Sequence, residues 1–200
     1  MTALSLSKKQ LSLGLAACAV ALSPALASAA TQSANTTVTA TVDSVISISA
    51  TVPSAISVTP VSGGAQSSQS HVVTVNSNNT AGYTLTLSNA DTTTTLSGPS
   101  AATIAASANT TGAPAALANN TWGFAVAGGV FDASYAAESN VTSSATKWAG
   151  VPSSASPYQV KQTAAVATND TTTVWYAVKA DTTKPNGNYT DTVTYTATTR

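Results

Sequence analysis

The side chains able to do chemistry are few and scattered. His71 is the only histidine in the 200 residues, so neither a nucleophile–histidine–acid relay with a spare base nor a multi-histidine metal site can be assembled. Flanked by Val72 and Val73, it reads as a structural strand residue. Glycoside hydrolysis needs two carboxyl groups facing one cleft; Asp132 and Glu138, with Phe131 and Tyr135 beside them, form the one nearby acidic pair with aromatic neighbours, and they read as solvated loop acids. Asp170 and Asp181 sit beside Asn or Thr, a weak calcium pattern with too few acidic ligands. No glycine-rich phosphate loop, His-Glu-x-x-His pattern or EF-hand spacing occurs. The expectation is a protein that is not an enzyme, with no metal and no cofactor.

Two non-catalytic chemistries remain. Lys161, Lys179 and Asp191 fall on expected strands, where a lysine facing an acid could join it in an intramolecular amide; the plainer reading is edge lysines and a turn-capping acid. Exposed aromatic rings stack on sugars, which makes Trp148 and Trp175 glycan-stacking candidates, whereas Trp122, on an apolar stripe, reads as a core plug.

The elements that position these residues are strands. From Thr37 to Val52 the apolar Val38, Ala40, Val42, Ile46, Ile48, Ala50 and Val52 share one parity, broken only at Ser44, and the other parity is nearly all polar. At about 3.3 Å per residue this run would exceed about 50 Å, so it either bends near Asp43 and Ser44 or leaves one end free to pair elsewhere. A Ser-, Gly- and Gln-rich connector over 62–70 precedes a strand at 71–76. The turn formers of 76–82 then lead to Tyr83, Leu85 and Leu87, and the two segments read as a hairpin. Short strands are expected at 93–96 and 102–106, and Trp122, Phe124 and Val126 form an apolar stripe over 121–127. Gly128 and Gly129 suggest a turn, 133–139 one helical turn, and 147–152 a short edge strand or loop; strands follow at 158–166 and 172–179. After a turn at 184–188, Tyr189, Asp191, Val193, Tyr195 and Ala197 alternate with threonines. About eight to ten short strands without an amphipathic helix are best satisfied by an all-β fold, an antiparallel β-sandwich.

Residues 1–29 have the three parts of a secretion signal: Lys8 and Lys9, the apolar stretch from Leu11 to Leu22, then Pro24 and small residues. Ala27, Ser28 and Ala29 place cleavage before Ala30, with Ala25 to Ala27 as a neighbouring alternative. A second alternative is lipid attachment at Cys18, since Leu15-Ala16-Ala17-Cys18 resembles a lipobox. The apolar stretch is shorter than the about 20 residues of a spanning helix. The expected organisation is a signal peptide over 1–29, an N-terminal strand or extension over 30–52 and a sandwich domain over 53–200, located outside the cell or on its surface. Cys18 is the only cysteine, so a chain cleaved at Ala30 has neither disulfide nor thiol. Losing Lys8 and Lys9 leaves five basic residues against seven acidic, too few and too scattered for nucleic acid to be a partner.

The stretch 185–196, PNGNYTDTVTYT, and the opening ATVD at 40–43 resemble the closing and first strands of the spore coat protein U family and related archaic chaperone-usher pilus subunits. That resemblance implies a secreted sandwich, Ig-like or pilin-like, whose N-terminal strand can complete a neighbouring subunit's sheet. The disulfide those families carry near the first strand has no counterpart here, where Ile46 and Ile48 stand. GYTLTL at 82–87, together with 189–196, also resembles WxL-type cell-wall domains, without the eponymous Trp-x-Leu. The expected function is a bacterial surface structural subunit of pilus, coat or surface-layer type. Val38, Ala40, Val42, Ile46 and Ile48 would form its assembly strand, and the partners would be copies of itself or related subunits. The alternative is a non-catalytic module binding wall polysaccharide or host glycan.

Overall fold

The computed structural model describes residues 32–127 and 147–200. The expected signal segment with Cys18, the turn at Gly128 and Gly129, the helical turn at 133–139 and the pair Asp132 and Glu138 lie outside the described residues. The chain divides into two units, 1–41 and 42–200. In the first, residues 32–41 are exposed and have no regular secondary structure.

The second unit is built from β1 (Ile46–Ala50), β2 (Ala65–Ser77), β3 (Tyr83–Asn89), β4 (Thr95–Ser97), β5 (Thr103–Ala106), β6 (Thr121–Ala127), β7 (Tyr158–Gln162), β8 (Ala167–Ala180) and β9 (Val193–Thr199). A six-stranded sheet runs β1-β2-β8-β6-β5-β4 and a three-stranded sheet runs β7-β3-β9. All pairings are antiparallel except β5 with β6, which is parallel. No helix among the described residues is long and apolar enough to cross a membrane.

Alternation in the sequence becomes burial here because successive side chains point to opposite faces of a strand. Val73 and Val75 of β2, Leu85 and Leu87 of β3, Phe124 of β6, Val160 of β7 and Val174 of β8 are all completely buried in one hydrophobic cluster fed by both sheets. Trp122 belongs to the same cluster, its indole N–H donating to the Thr94 carbonyl at 3.0 Å, which is the core role its stripe suggested.

The expected hairpin between β2 and β3 does not form. β2 pairs with β1 and β8, β3 pairs with β7 and β9, and residues 78–82 carry the chain from one sheet to the other. A hairpin would put both apolar rows on one face of one sheet; crossing lets each row bury in a core shared with the other sheet. Gly82 makes the corner with φ +83°, and a Cβ there would meet the Thr163 carbonyl oxygen at 2.3 Å, so only glycine fits.

β2 also begins earlier than its composition suggests. It pairs with β8 from Ala65 opposite Ala180 to Ser77 opposite Ala167, so most of the Ser- and Gln-rich segment is strand. Its buried parity switches between Ser68 and His71, because the larger sheet is covered on both faces. On the second face Leu117, Ala125, Trp148 and Ala177 form a small cluster with Trp175 packed against it, and Ser68 lies opposite Ala177 in the β2–β8 register. Polar backbone pairs as well as apolar backbone does, so hydropathy alone misplaced the start of this strand.

Only the end of the overlong N-terminal alternation is strand. β1 covers Ile46–Ala50 and pairs with Ser77 to Val73, while the residues from 32 to 45 have no regular structure. Just upstream of β1 the chain is tied to its own domain: the Asn78 side chain accepts from the Val45 N–H at 2.7 Å and donates to the Asp43 carbonyl at 2.8 Å.

Candidate functional site

The second unit carries a groove of about 790 Å³. Leu96, Ile104, Trp122 and Val178 of the six-stranded sheet line it, as do Val193 and Tyr195 from the C-terminal segment. The apolar row of β9 explains the last two: Val193, Tyr195 and Ala197 are half-buried against the core while the threonines between them are exposed. Residues 53–60, which have no regular structure, contribute Ile56 and Val58 to the lining.

A polar chain ties the two sheets together at the groove. His71 Nδ1 lies 2.9 Å from the Thr51 carbonyl, and a carbonyl only accepts, so Nδ1 carries the proton and donates. Nε2 is then the acceptor, and the Tyr195 hydroxyl donates to it at 2.6 Å. The Tyr176 hydroxyl, 2.6 Å from that of Tyr195, donates in turn. One strand of the three-stranded sheet is thus joined to two strands of the larger sheet and to the segment after β1. Burial lowers the pKa of His71 below 6.5, against the raising effect of the Thr51 bond. Burial likewise raises the pKa values of Tyr176 and Tyr195, so all three groups are neutral and the chain of donors is fully used. Such a histidine has no spare lone pair for catalysis.

β9 is an edge strand with β3 as its neighbour. The bonds from Arg200 N–H to the Gly82 carbonyl at 3.1 Å and from Ala90 N–H to the Thr192 carbonyl at 2.9 Å set the parity. Even-numbered residues of β9 bond β3, and Val193, Tyr195 and Ala197 turn their backbone groups outward. No backbone bond from another described segment meets that outer edge, and the groove lies beside it.

The assembly-strand candidates divide between two situations. Val38 and Val42 are 87% and 83% exposed, and Ala40 is also exposed and outside any strand. Ile46 and Ile48 lie in β1, Ile46 packed against the core and Ile48 exposed. The glycan candidates fare differently from their expectation. Trp148 is completely buried, so its ring presents no face to a sugar; the bridge between Ala115 and Trp148 and the second apolar cluster enclose it. Trp175 is half-buried against that cluster.

The remaining polar candidates are each engaged by neighbouring groups. Asp191 accepts from the Asn89 amide at 2.6 Å, and Lys179 reaches the Leu117 carbonyl at 3.4 Å, so neither faces the other. Asp181 accepts from the Thr183 backbone and hydroxyl, and these bonds lower its pKa. Asp170 is held by Lys161 and by the Tyr83 hydroxyl. Among the described residues no three potential metal ligands gather. Sequence reasoning missed both the groove and the meeting of Lys161 with Asp170, since each depends on which strands become neighbours.

Comparison with family models, curated proteins and solved structures returned no match.

Proposed function

We propose that this protein is a secreted bacterial surface subunit, a pilin-like β-sandwich that assembles by adding a strand from one copy to the sheet of the next. The observation that carries the reading is the outer edge of β9, unpaired among the described residues although β1 packs close to that strand, beside an apolar groove, together with an exposed alternating segment upstream of β1. Residues 37–42, upstream of the bonds that tie Asp43 and Val45 to Asn78, would span about 20 Å extended, close to the length of β9, about 23 Å. Val38, Ala40 and Val42 would enter the groove of the next copy, and the threonines between them would face solvent; main-chain bonds supply affinity and the alternate side chains supply register. Ile46 and Ile48, held in β1, anchor the donor segment to its own domain. Exposed valines in a row are otherwise a solubility cost in an aqueous compartment.

The test is the double variant Val38→Asp, Val42→Asp in the exported chain, followed by sedimentation velocity and thermal unfolding. Both side chains are solvent-exposed, so the expected result is loss of high-order species with an unchanged unfolding midpoint. Assembly that persists in the variant overturns the mechanism. The glycan-binding alternative retains only Trp175 as a platform, and no specific observation favours it.

A further inference from the structure

We propose that Lys161 and Asp170 condense into an intramolecular amide that covalently joins the two sheets. Lys161 lies on β7 of the three-stranded sheet and Asp170 on β8 of the six-stranded sheet. Their side chains form the only ion pair among the described residues and are 16% and 27% exposed. Lys161 Nζ touches Asp170 Oδ1 and also donates to the Thr171 carbonyl at 3.0 Å. The second carboxylate oxygen, Oδ2, accepts from the Tyr83 hydroxyl at 2.8 Å, and Tyr83 is completely buried.

The backbone places these groups. β8 bulges against β2, with Val75 opposite Asp170 but Ser77 opposite Ala167. Thr168 and Asn169 lie within that bulge opposite Asn76; Asn169 has φ +50°, and its N–H is held by the Asn76 side chain at 2.6 Å. A bulge re-aims the side chain that follows it, here Asp170 toward β7. Lys161 sits opposite Leu85, next to the irregularity in the β3–β7 pairing. Both partners are therefore fixed by strands rather than loops.

The reaction needs no added reagent. The Lys161 ammonium passes one proton to the carboxylate it touches, leaving a neutral amine beside a carboxylic acid. The amine lone pair attacks Cγ, and negative charge develops on Oδ2, where the Tyr83 O–H is already aimed. The Oδ1 hydroxyl leaves with a second amine proton as water, so one C–N bond forms and one C–O bond breaks. Holding amine and acid in contact supplies an effective concentration on the order of 10⁵–10⁸ M, the factor absent from the same reaction between free molecules. A partly desolvated site also disfavours the ion pair relative to the neutral amide. The product would serve a cysteine-free exported domain as a disulfide serves others.

Intact-mass spectrometry of the purified full chain, followed by proteolysis and fragment sequencing, tests this directly. The expected result is a mass short by one water and a branched peptide joining Lys161 to Asp170. In Lys161→Arg, which keeps the ion pair, and in Asp170→Ala, the deficit should vanish completely, and in Tyr83→Phe the cross-linked fraction should fall. A chain of full mass overturns the proposal. So does a water deficit that survives in Lys161→Arg, which would mark a cyclised aspartyl residue instead.

Discussion

Replacing Tyr195 by Phe removes one oxygen from the middle of the chain Tyr176–Tyr195–His71–Thr51 and should cost more than removing the oxygen at its end. In the native protein Tyr176 donates to Tyr195, Tyr195 donates to Nε2 of His71, and Nδ1 donates to the Thr51 carbonyl. Tyr195→Phe leaves both the Tyr176 O–H and the His71 Nε2 without a partner in a largely buried setting. Each buried polar group left unsatisfied costs about 1–3 kcal/mol. Because the groove lies against both residues and can admit water, the lower half of the combined range applies, about 2–4 kcal/mol. Tyr176→Phe, in contrast, orphans no donor: Tyr195 still donates to His71, and the loss is one neutral hydrogen bond, about 0.5–1.5 kcal/mol. Both changes preserve the ring packing, including the tilted contacts of His71 with Tyr176 and Tyr195 at centroid separations of 5.6 and 5.3 Å. The assay is urea unfolding followed by tryptophan fluorescence at neutral pH, with the midpoint and slope fitted for each variant. Equal costs, or a larger cost for Tyr176→Phe, would refute the assigned direction of the donors. A cost below about 0.5 kcal/mol for Tyr195→Phe would show that the chain does not join the sheets.

The same chain makes stability depend on pH. Burial lowers the folded pKa of His71 below its ordinary value of 6.5, so the unfolded chain binds a proton first as pH falls; its stabilising contribution is complete above 6.5 and is lost as pH drops through the lower folded value. The side chains facing His71, Tyr176 and Tyr195, have raised pKa values and do not titrate in that window. The unfolding midpoint should fall between pH 7 and pH 5 in the native chain, and His71→Gln should flatten that slope; an equally steep slope in the variant would place its origin elsewhere. Trp148→Ala should cost about 3–5 kcal/mol by leaving a cavity in the second cluster, far more than Trp175→Ala, as read from denaturant midpoints. Trp148→Phe should cost less than Trp148→Ala, because the indole N–H has no hydrogen-bond partner among the described residues and its removal relieves an unsatisfied donor. Comparable costs for Trp148→Ala and Trp175→Ala would contradict the packing described.

Strand existence was legible because its signal is local. The alternations at 83–87, 121–127 and 193–197 each report a strand with one buried and one solvated or differently packed face, and each is a strand here. Even the weak segments at 93–96 and 102–106 foreshadowed β4 and β5 within a residue or two. Absence of a histidine partner for His71 was equally plain, since composition alone limits what can assemble. Pairing was not legible, because a strand's hydrogen-bonding groups are the same whatever its neighbour. The turn formers of 76–82 fit a hairpin and a crossing between sheets equally well, and only the shared core decides for the crossing. Burial of Trp148 depended on a segment near residue 115 bridging to it from far along the chain. The contact of Lys161 with Asp170 arises only when β7 and β8 meet from different sheets, and the groove exists only where β9 ends one of them. The amino-acid order determined which segments extend and which face of each is apolar, through the two-residue period of the backbone; the tertiary structure decided which edges stay open and which side chains meet, because long-range pairing is chosen by the burial of all the rows together.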